Sequence, residues 1–116
     1  MVEDCLFCKI VDGEIPSDVV LENEDFIVIK DISPNVPGHS LVIPKKHCKN
    51  FFDMPTETYE GLLKTAREAV DILMKEEGAK GFNLLMNSGA VAWQLVDHAH
   101  LHILPRREGD GLVLGN

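Results

Sequence analysis

The feature that most constrains this chain is one long amphipathic segment. From near Thr56 onward, Tyr59, Leu62, Leu63, Ala66, Ala69, Val70, Leu73 and Met74 recur at three- and four-residue steps, which predicts a helix with a single apolar face. Pro55 stands just before it, Glu57 and Glu60 suit the positive first turn, and Gly78 supplies a left-handed stop. One helix cannot bury its own stripe, so the rest of the chain must provide the opposing layer. Residues 17–22 and 26–31 read as short strands joined by the turn Glu22-Asn23-Glu24-Asp25, and 39–44 as a third that Pro44 stops. Pro34, Pro37 and Gly38 break the chain between the second and third. Residues 82–86 and 96–104 read as two further strands around the loop 87–94. Ahead of them all, Leu6, Phe7, Ile10 and Val11 lie at near-helical spacing before the turn Asp12-Gly13. The expected fold is α+β: an antiparallel sheet of about five strands with one long α-helix and a short N-terminal helix, in a single domain over 1–116.

Composition narrows the partners. The 116 residues are 45% hydrophobic, enough to close one core, and carry a formal charge of −8. That balance argues against a nucleic-acid binder, whose affinity would rest on Lys and Arg neutralising many phosphates. A local pocket can still take one small phosphate ligand. No apolar run approaches the roughly 18 residues of a membrane span, and the acidic start Met1-Val2-Glu3-Asp4 lacks the basic opening of a secretory signal. A cytoplasmic protein without membrane or nucleic-acid partners is expected. Three cysteines, Cys5, Cys8 and Cys48, are too few and odd in number for a disulfide framework, so Cys5-x-x-Cys8 reads as metal ligands or free thiols.

The stretch His98-Ala99-His100-Leu101-His102-Ile103-Leu104 carries the densest chemistry. In a strand, alternate side chains share a face, so three of the chain's five histidines project together while Ala99, Leu101 and Ile103 point the other way. The plain reading is a polar, solvated strand face; three imidazoles in register next to a glycine-containing loop argue instead for a functional site, with zinc binding one candidate.

This pattern resembles the histidine-triad (HIT) signature, and the resemblance extends in order from Cys5 to Arg106. Asp31-Ile32-Ser33-Pro34, the run from Pro37 to His47, Asn87-x-Gly89 and Gln94-x-Val96 are similar to the same family's other motifs, nearest its Hint (histidine-triad nucleotide-binding) branch. The resemblance implies a homodimer whose sheets become continuous. It implies that His100 attacks the α-phosphorus of a purine nucleoside phosphate derivative, forming a nucleotidyl-imidazole that water then cleaves. The carbonyl of His98 would hold the other ring nitrogen of His100. His102 would neutralise charge at the phosphate, and His39 would buttress the cluster or serve as a structural hydrogen-bonding group. Asp31 would bind the ribose hydroxyls, although by type alone it is equally a turn residue. Leu6, Phe7, Ile10, Ile32 and Leu41 would surround the base, where their type alone says only core. Asn87, otherwise a turn former, would lie near the phosphate, and Gln94 would belong to the nucleotide-binding residues. The leading function is hydrolysis of phosphoramidates or acyl-adenylates. Alternatives are a dinucleoside polyphosphate hydrolase (Fhit-like) and a nucleotide- or zinc-binding interaction module with little turnover.

Two departures and one addition follow from the same resemblance. Trp93 stands where the family usually has Gly, and Leu95 where it has a small hydroxyl residue, so phosphate binding or leaving-group preference is expected to differ. Microbial relatives and galactose-1-phosphate uridylyltransferases pair a similar C-x-x-C with two histidines. Here that implies Cys5, Cys8, His47 and His98 around a structural zinc, against the alternative of two reduced thiols packed as small hydrophobes.

Overall fold

In the computed structural model, residues 4–115 are described; Met1, Val2, Glu3 and Asn116, at the ends of the expected domain, lie outside them. The elements run α1 (Leu6–Val11), β1 (Val19–Glu22), β2 (Phe26–Lys30), β3 (Ser40–Pro44), α2 (Thr56–Glu77), β4 (Gly81–Leu85) and β5 (Leu101–Arg106), with a 3-10 turn at Ala90–Ala92. The five strands form one antiparallel sheet in the order β1-β2-β3-β5-β4.

Alternation along the central strands builds two cores. Phe26, Val28, Val42, Leu101 and Ile103 pack under α2 against Leu62, Ala66, Ala69, Val70 and Leu73. The intervening Ile27, Ile29, Leu41 and Ile43 face the other way, onto Phe7, Cys5 and Cys8 of the α1 segment. β2 and β3 are therefore buried on both faces and read as continuous apolar runs. The helix α2 ends as its sequence dictates, with Gly78 at φ 62°. Asn23 ties the first hairpin to it: Oδ1 accepts from the backbone of Asp25 and Phe26, and Nδ2 donates to Thr65 Oγ1 at 3.0 Å. Six residues are too few for a self-sustaining helix, so α1 depends on its tertiary contacts.

The last strand differs most from expectation. It spans Leu101–Arg106 rather than 96–104, so His98, Ala99 and His100 precede it as irregular backbone. Ala99 still belongs to the α2-side core with Leu101 and Ile103, which preserves the alternation that the histidine pattern implied. Pro105, just beyond the expected end at 104, lies inside the strand because β3 reaches only as far as Ile103. Past that point the side towards β3 is unpaired, and a residue without an N–H is tolerated there.

Candidate active site

A cavity of about 440 Å³ opens on the α1 side of the sheet. One end is apolar, made by Leu6, Phe7 and Ile10 of α1 with Ile29 and Leu41 of the sheet. Asp31, Ile32, Ser33, Asn35 and His39 line it from the β2–β3 connection, and Asn87, Trp93, Leu95 and Val96 from the loop after β4. His100 and His102 complete it. Asp31 N–H donates to the His39 carbonyl at 2.9 Å, closing the connection so that residue 31 sits beside residue 39. The carboxylate accepts from Ser33 N–H through Oδ1 at 2.9 Å, and its Oδ2 lies 3.6 Å from His39 Nε2.

Backbone partners fix the proton positions on the histidines, because a carbonyl can only accept and an N–H only donate. His100 Nδ1 lies 2.7 Å from the His98 carbonyl, so Nδ1 carries the proton and Nε2 keeps its lone pair. His39 Nδ1 accepts from Asn35 N–H at 3.1 Å, so the neutral ring bears its proton on Nε2, which donates to His102 Nδ1 at 2.9 Å. His102 therefore presents Nε2–H. Its ring centre lies 5.0 Å from that of His100. The edge-on ring of Phe7, 4.9 Å from His100, shields the nucleophile candidate on its other side.

Burial holds these rings neutral. The His100 imidazole is pushed down first by desolvation, which its bond to the His98 carbonyl and the charge of Asp31 only partly oppose. Desolvation also lowers His39, with Asp31 opposing it. His102 falls furthest, to about 4, through desolvation and then the neighbouring His100 and His39. A neutral Nε2 lone pair, an adjacent Nε2–H donor and a carboxylate oxygen thus share one cavity whose far end is apolar. That arrangement suits nucleophilic attack on an electrophile carrying both an apolar ring and hydroxyl groups.

A second constellation lies behind the first. Cys5, Cys8, His47 and His98 bring one donor atom each within 4.8 Å of one another. Cys5 Sγ is 3.3 Å from His98 Nδ1, Cys8 Sγ is 3.3 Å from His47 Nδ1, and the two Nδ1 atoms are 3.1 Å apart. A tetrahedral S₂N₂ site would space its sulfur–nitrogen pairs by about 3.5 Å and its nitrogens by about 3.3 Å, so the four residues fit such an ion. His98 Nε2–H donates to the Pro44 carbonyl at 2.7 Å, which leaves Nδ1 as the lone-pair nitrogen aimed at the cluster. Cys5 caps α1 by accepting from Cys8 N–H at 3.3 Å, so the same residue begins the helix and closes the cluster. Burial pushes its thiol up.

The structure brings Leu6, Phe7, Ile10, Asp31, Ile32, His39, Leu41, Asn87, His100 and His102 to the cavity. His98 lies where its expected parts as zinc ligand and carbonyl acceptor would put it, and Gln94 lies off the cavity. His98 is fully buried among the cysteines and meets the cavity only through its carbonyl. Gln94, expected at the nucleotide, is a buried staple of its own loop: Oε1 accepts from Gly89 N–H, and Nε2 donates to the Lys49 and Val96 carbonyls. Both amide N–H groups are thereby engaged by backbone, and Gln94 is not among the residues lining the cavity. Conversely, Ile15, Pro16, Ser17 and Asn35 line the cavity without any sequence signal to mark them, since the turn after α1 folds them over the apolar end.

Comparison with known proteins shows the family. The family model described as the HIT domain matches residues 12–109. The chain is 46% identical over 95% of its length to an uncharacterized HIT-like protein of Methanocaldococcus jannaschii, 84% of which it spans. It is 38% identical over 96% of its length to the adenosine 5'-monophosphoramidase HNT1 of Saccharomyces cerevisiae, spanning 68% of that protein. To the adenylylsulfatase HINT3 of Arabidopsis thaliana it is 38% identical over 94% of its length, but it spans only 55% of that protein. Among solved structures, SMU.412c from Streptococcus mutans superposes with a TM-score of 0.97 at 40% identity, covering all of this chain and 74% of that one. A Zn-bound histidine triad family protein from Mycobacterium smegmatis superposes at 0.90 with 40% identity, covering 95% of this chain and 80% of that one.

Proposed function

The chain belongs to the HIT domain family, and from that premise we propose that it hydrolyses nucleoside 5′-monophosphate derivatives at the α-phosphorus, with His100 as covalent nucleophile and residues 1–116 as one HIT domain. The supporting observation is the 2.7 Å bond from His100 Nδ1–H to the His98 carbonyl, which leaves Nε2 unprotonated on a residue lining the cavity. In the first step the Nε2–phosphorus bond forms and the bond to the leaving group breaks. The departing nitrogen or oxygen takes up one proton from solvent, while the neutral His102 Nε2–H hydrogen-bonds to the phosphate and keeps its proton. In the second step water attacks phosphorus, the Nε2–phosphorus bond breaks, and the proton released by water returns to solvent. The net change is hydrolysis to a nucleoside monophosphate.

The apolar end takes the base, with adenine first because the relatives named above act on adenosine phosphates. Asp31 Oδ2 accepts from the ribose hydroxyls, and Asn87 flanks the phosphate. Cys5, Cys8, His47 and His98 hold one zinc, whose chemistry there is structural because all four positions are filled by protein. Three cysteines outside any disulfide, two of them zinc ligands, suit a reducing cytoplasm. The unpaired edge of β4 joins two copies into a homodimer.

The test is AMP release from adenosine 5′-phosphoramidate, with His100→Ala as control. Wild type should turn over and leave an acid-labile nucleotidyl label on His100 after rapid quenching. The variant should lose at least about a thousandfold in rate. Turnover that survives in His100→Ala would reject the covalent role.

A further inference from the structure

Trp93 stands at the cavity in a conformation that its residue type seldom adopts. It caps the 3-10 turn Ala90–Ala92 at φ 68° and ψ 29°, the single non-glycine residue with positive φ among the described residues. Sterics disfavour that region for any residue with a Cβ. The loop enforces it: Trp93 N–H donates to the Ala90 carbonyl, Gln94 N–H to the Gly89 carbonyl, and the buried Gln94 side chain locks the next residue in place. The indole gains nothing visible in return. It is 77% exposed and, among the described residues, makes no hydrogen bond and no aromatic contact. Leu95, on the same wall of the cavity, is 84% exposed, and Ile32 is 94% exposed. Single exposed hydrophobes are ordinary, but three at one cavity, one of them in a strained backbone, point to a ligand.

Their place in the cavity says which part of the ligand. The base-sized apolar end is built by α1, β2 and β3, whereas Trp93 and Leu95 belong to the loop that carries Asn87 and leads into His98 and His100. The electrostatics there are equally specific. Lys30 is the one Lys or Arg lining the cavity among the described residues, and Glu76 and Glu77 already pair with it. An anionic leaving group such as a phosphate chain would find no unpaired cation.

We propose that Trp93 and Leu95 form a leaving-group subsite, and that the substrates are nucleoside 5′-phosphoramidates whose departing amine carries a flat aromatic or broad apolar moiety. This rests on the hydrolase reading above and narrows its substrate class. The bonds made and broken are those of the two steps already given, with water as the one co-reactant. The subsite adds affinity for the departing group, because the indole face leaves water only when an apolar surface covers it.

The probes are the adenosine 5′-phosphoramidates of benzylamine and methylamine. Wild type should favour the benzyl compound in kcat/KM by about tenfold or more, the size of one aromatic contact. In Trp93→Gly combined with Leu95→Ser the ratio should fall towards unity, and glycine suits the φ of residue 93 so the loop keeps its shape. A wild-type ratio near one, or a ratio that the double variant leaves unchanged, overturns the subsite. If neither probe is hydrolysed, the hydrolase reading fails, and fluorescence then decides the subsite separately. Trp93 is the only tryptophan in the chain. In His100→Ala protein, a change in its emission with the benzyl compound that the methyl compound does not produce supports the contact. Equal responses to both reject it.

Discussion

At the scale of single residues, His102 shows how burial, more than any catalytic partner, sets the behaviour of this site. His39 and His100 touch it, Asp31 lies nearby, and desolvation outweighs the carboxylate, so its pKa falls to about 4 from an unfolded value near 6.5. The consequence for stability has a definite sign. Below pH 6.5 the unfolded chain binds a proton that the folded chain refuses, so the contribution of His102 is intact above pH 6.5 and is lost as pH falls towards 4. The cost reaches on the order of 2 kcal/mol by pH 5, and His39, lowered for the same reason, adds to it. Melting of wild type should therefore drop more steeply between pH 7 and pH 5 than that of His102→Asn, since both proteins share every other titrating group. Parallel curves would mean that His102 is more accessible to water than its surroundings imply. A neutral His102 also means that its Nε2–H role persists across the neutral range, so protonation of this ring sets no limit on activity from pH 6 to 8.

At the scale of elements, local pattern was legible wherever the chain makes its own boundary and illegible where a distant side chain does. Both ends of α2 were readable, because Pro55, the acidic first turn and Gly78 act within a few residues. β5 was placed too early, because His98 is drawn out of the ladder by Cys5 and Cys8, some ninety positions away. The same long-range pull made the metal cluster visible only through its family resemblance: C-x-x-C is half of a site, and nothing local says that His47 faces it. Gln94 lies off the cavity for a related reason, since it is held by Gly89 and Val96 of its own loop and by the Lys49 carbonyl, 45 positions away. Two predictions belong here. A chelator, or Cys8→Ser, should remove about one zinc per chain, lower the melting temperature by several degrees and loosen α1. Unchanged melting in a protein shown to be metal-free would leave the cysteines as packed thiols. Within α2, Gly61 faces Phe26, and an added Cβ would come 2.7 Å from the ring at Cε2. Helix propensity favours Gly61→Ala by about 1 kcal/mol, whereas overpacking a buried ring costs about 1–3. Because Phe26 sits in the core beneath α2, the clash should win, and urea denaturation should show a net loss of about 1 kcal/mol. A gain would mean that the ring swings aside freely.

At the scale of the whole molecule, the sheet ends on an edge that a lone copy manages poorly. β4 pairs with β5 on one side only, and Phe82, Leu84 and Leu85 along it are 45%, 43% and 37% exposed. Leu84 pairs with Ile103, whose side chain lies in the core under α2, so Phe82 and Leu84 face the α2 side of the sheet. On that side an apolar groove runs over Phe51, Phe52, Leu62, Leu63, Met86 and Leu101, with Phe52 91% exposed. An unpaired edge flanked by such a surface is a template for pairing with another chain, and none of the usual protections is present in β4, which has no charged residue and no proline. A two-fold pairing of β4 with β4 would satisfy the edge and bring the two grooves together, closing the assembly at two copies. The histidine cavity opens on the other side of the sheet, so pairing leaves it accessible. Wild type should therefore elute at twice the mass of one chain at micromolar concentration. Leu84→Lys, which places charge on the edge, should shift it towards the monomer and expose the grooves, seen as increased binding of a hydrophobic dye. A wild type that stays monomeric at every concentration tested, without aggregating, would show that this edge is tolerated unpaired and that the groove serves a different partner.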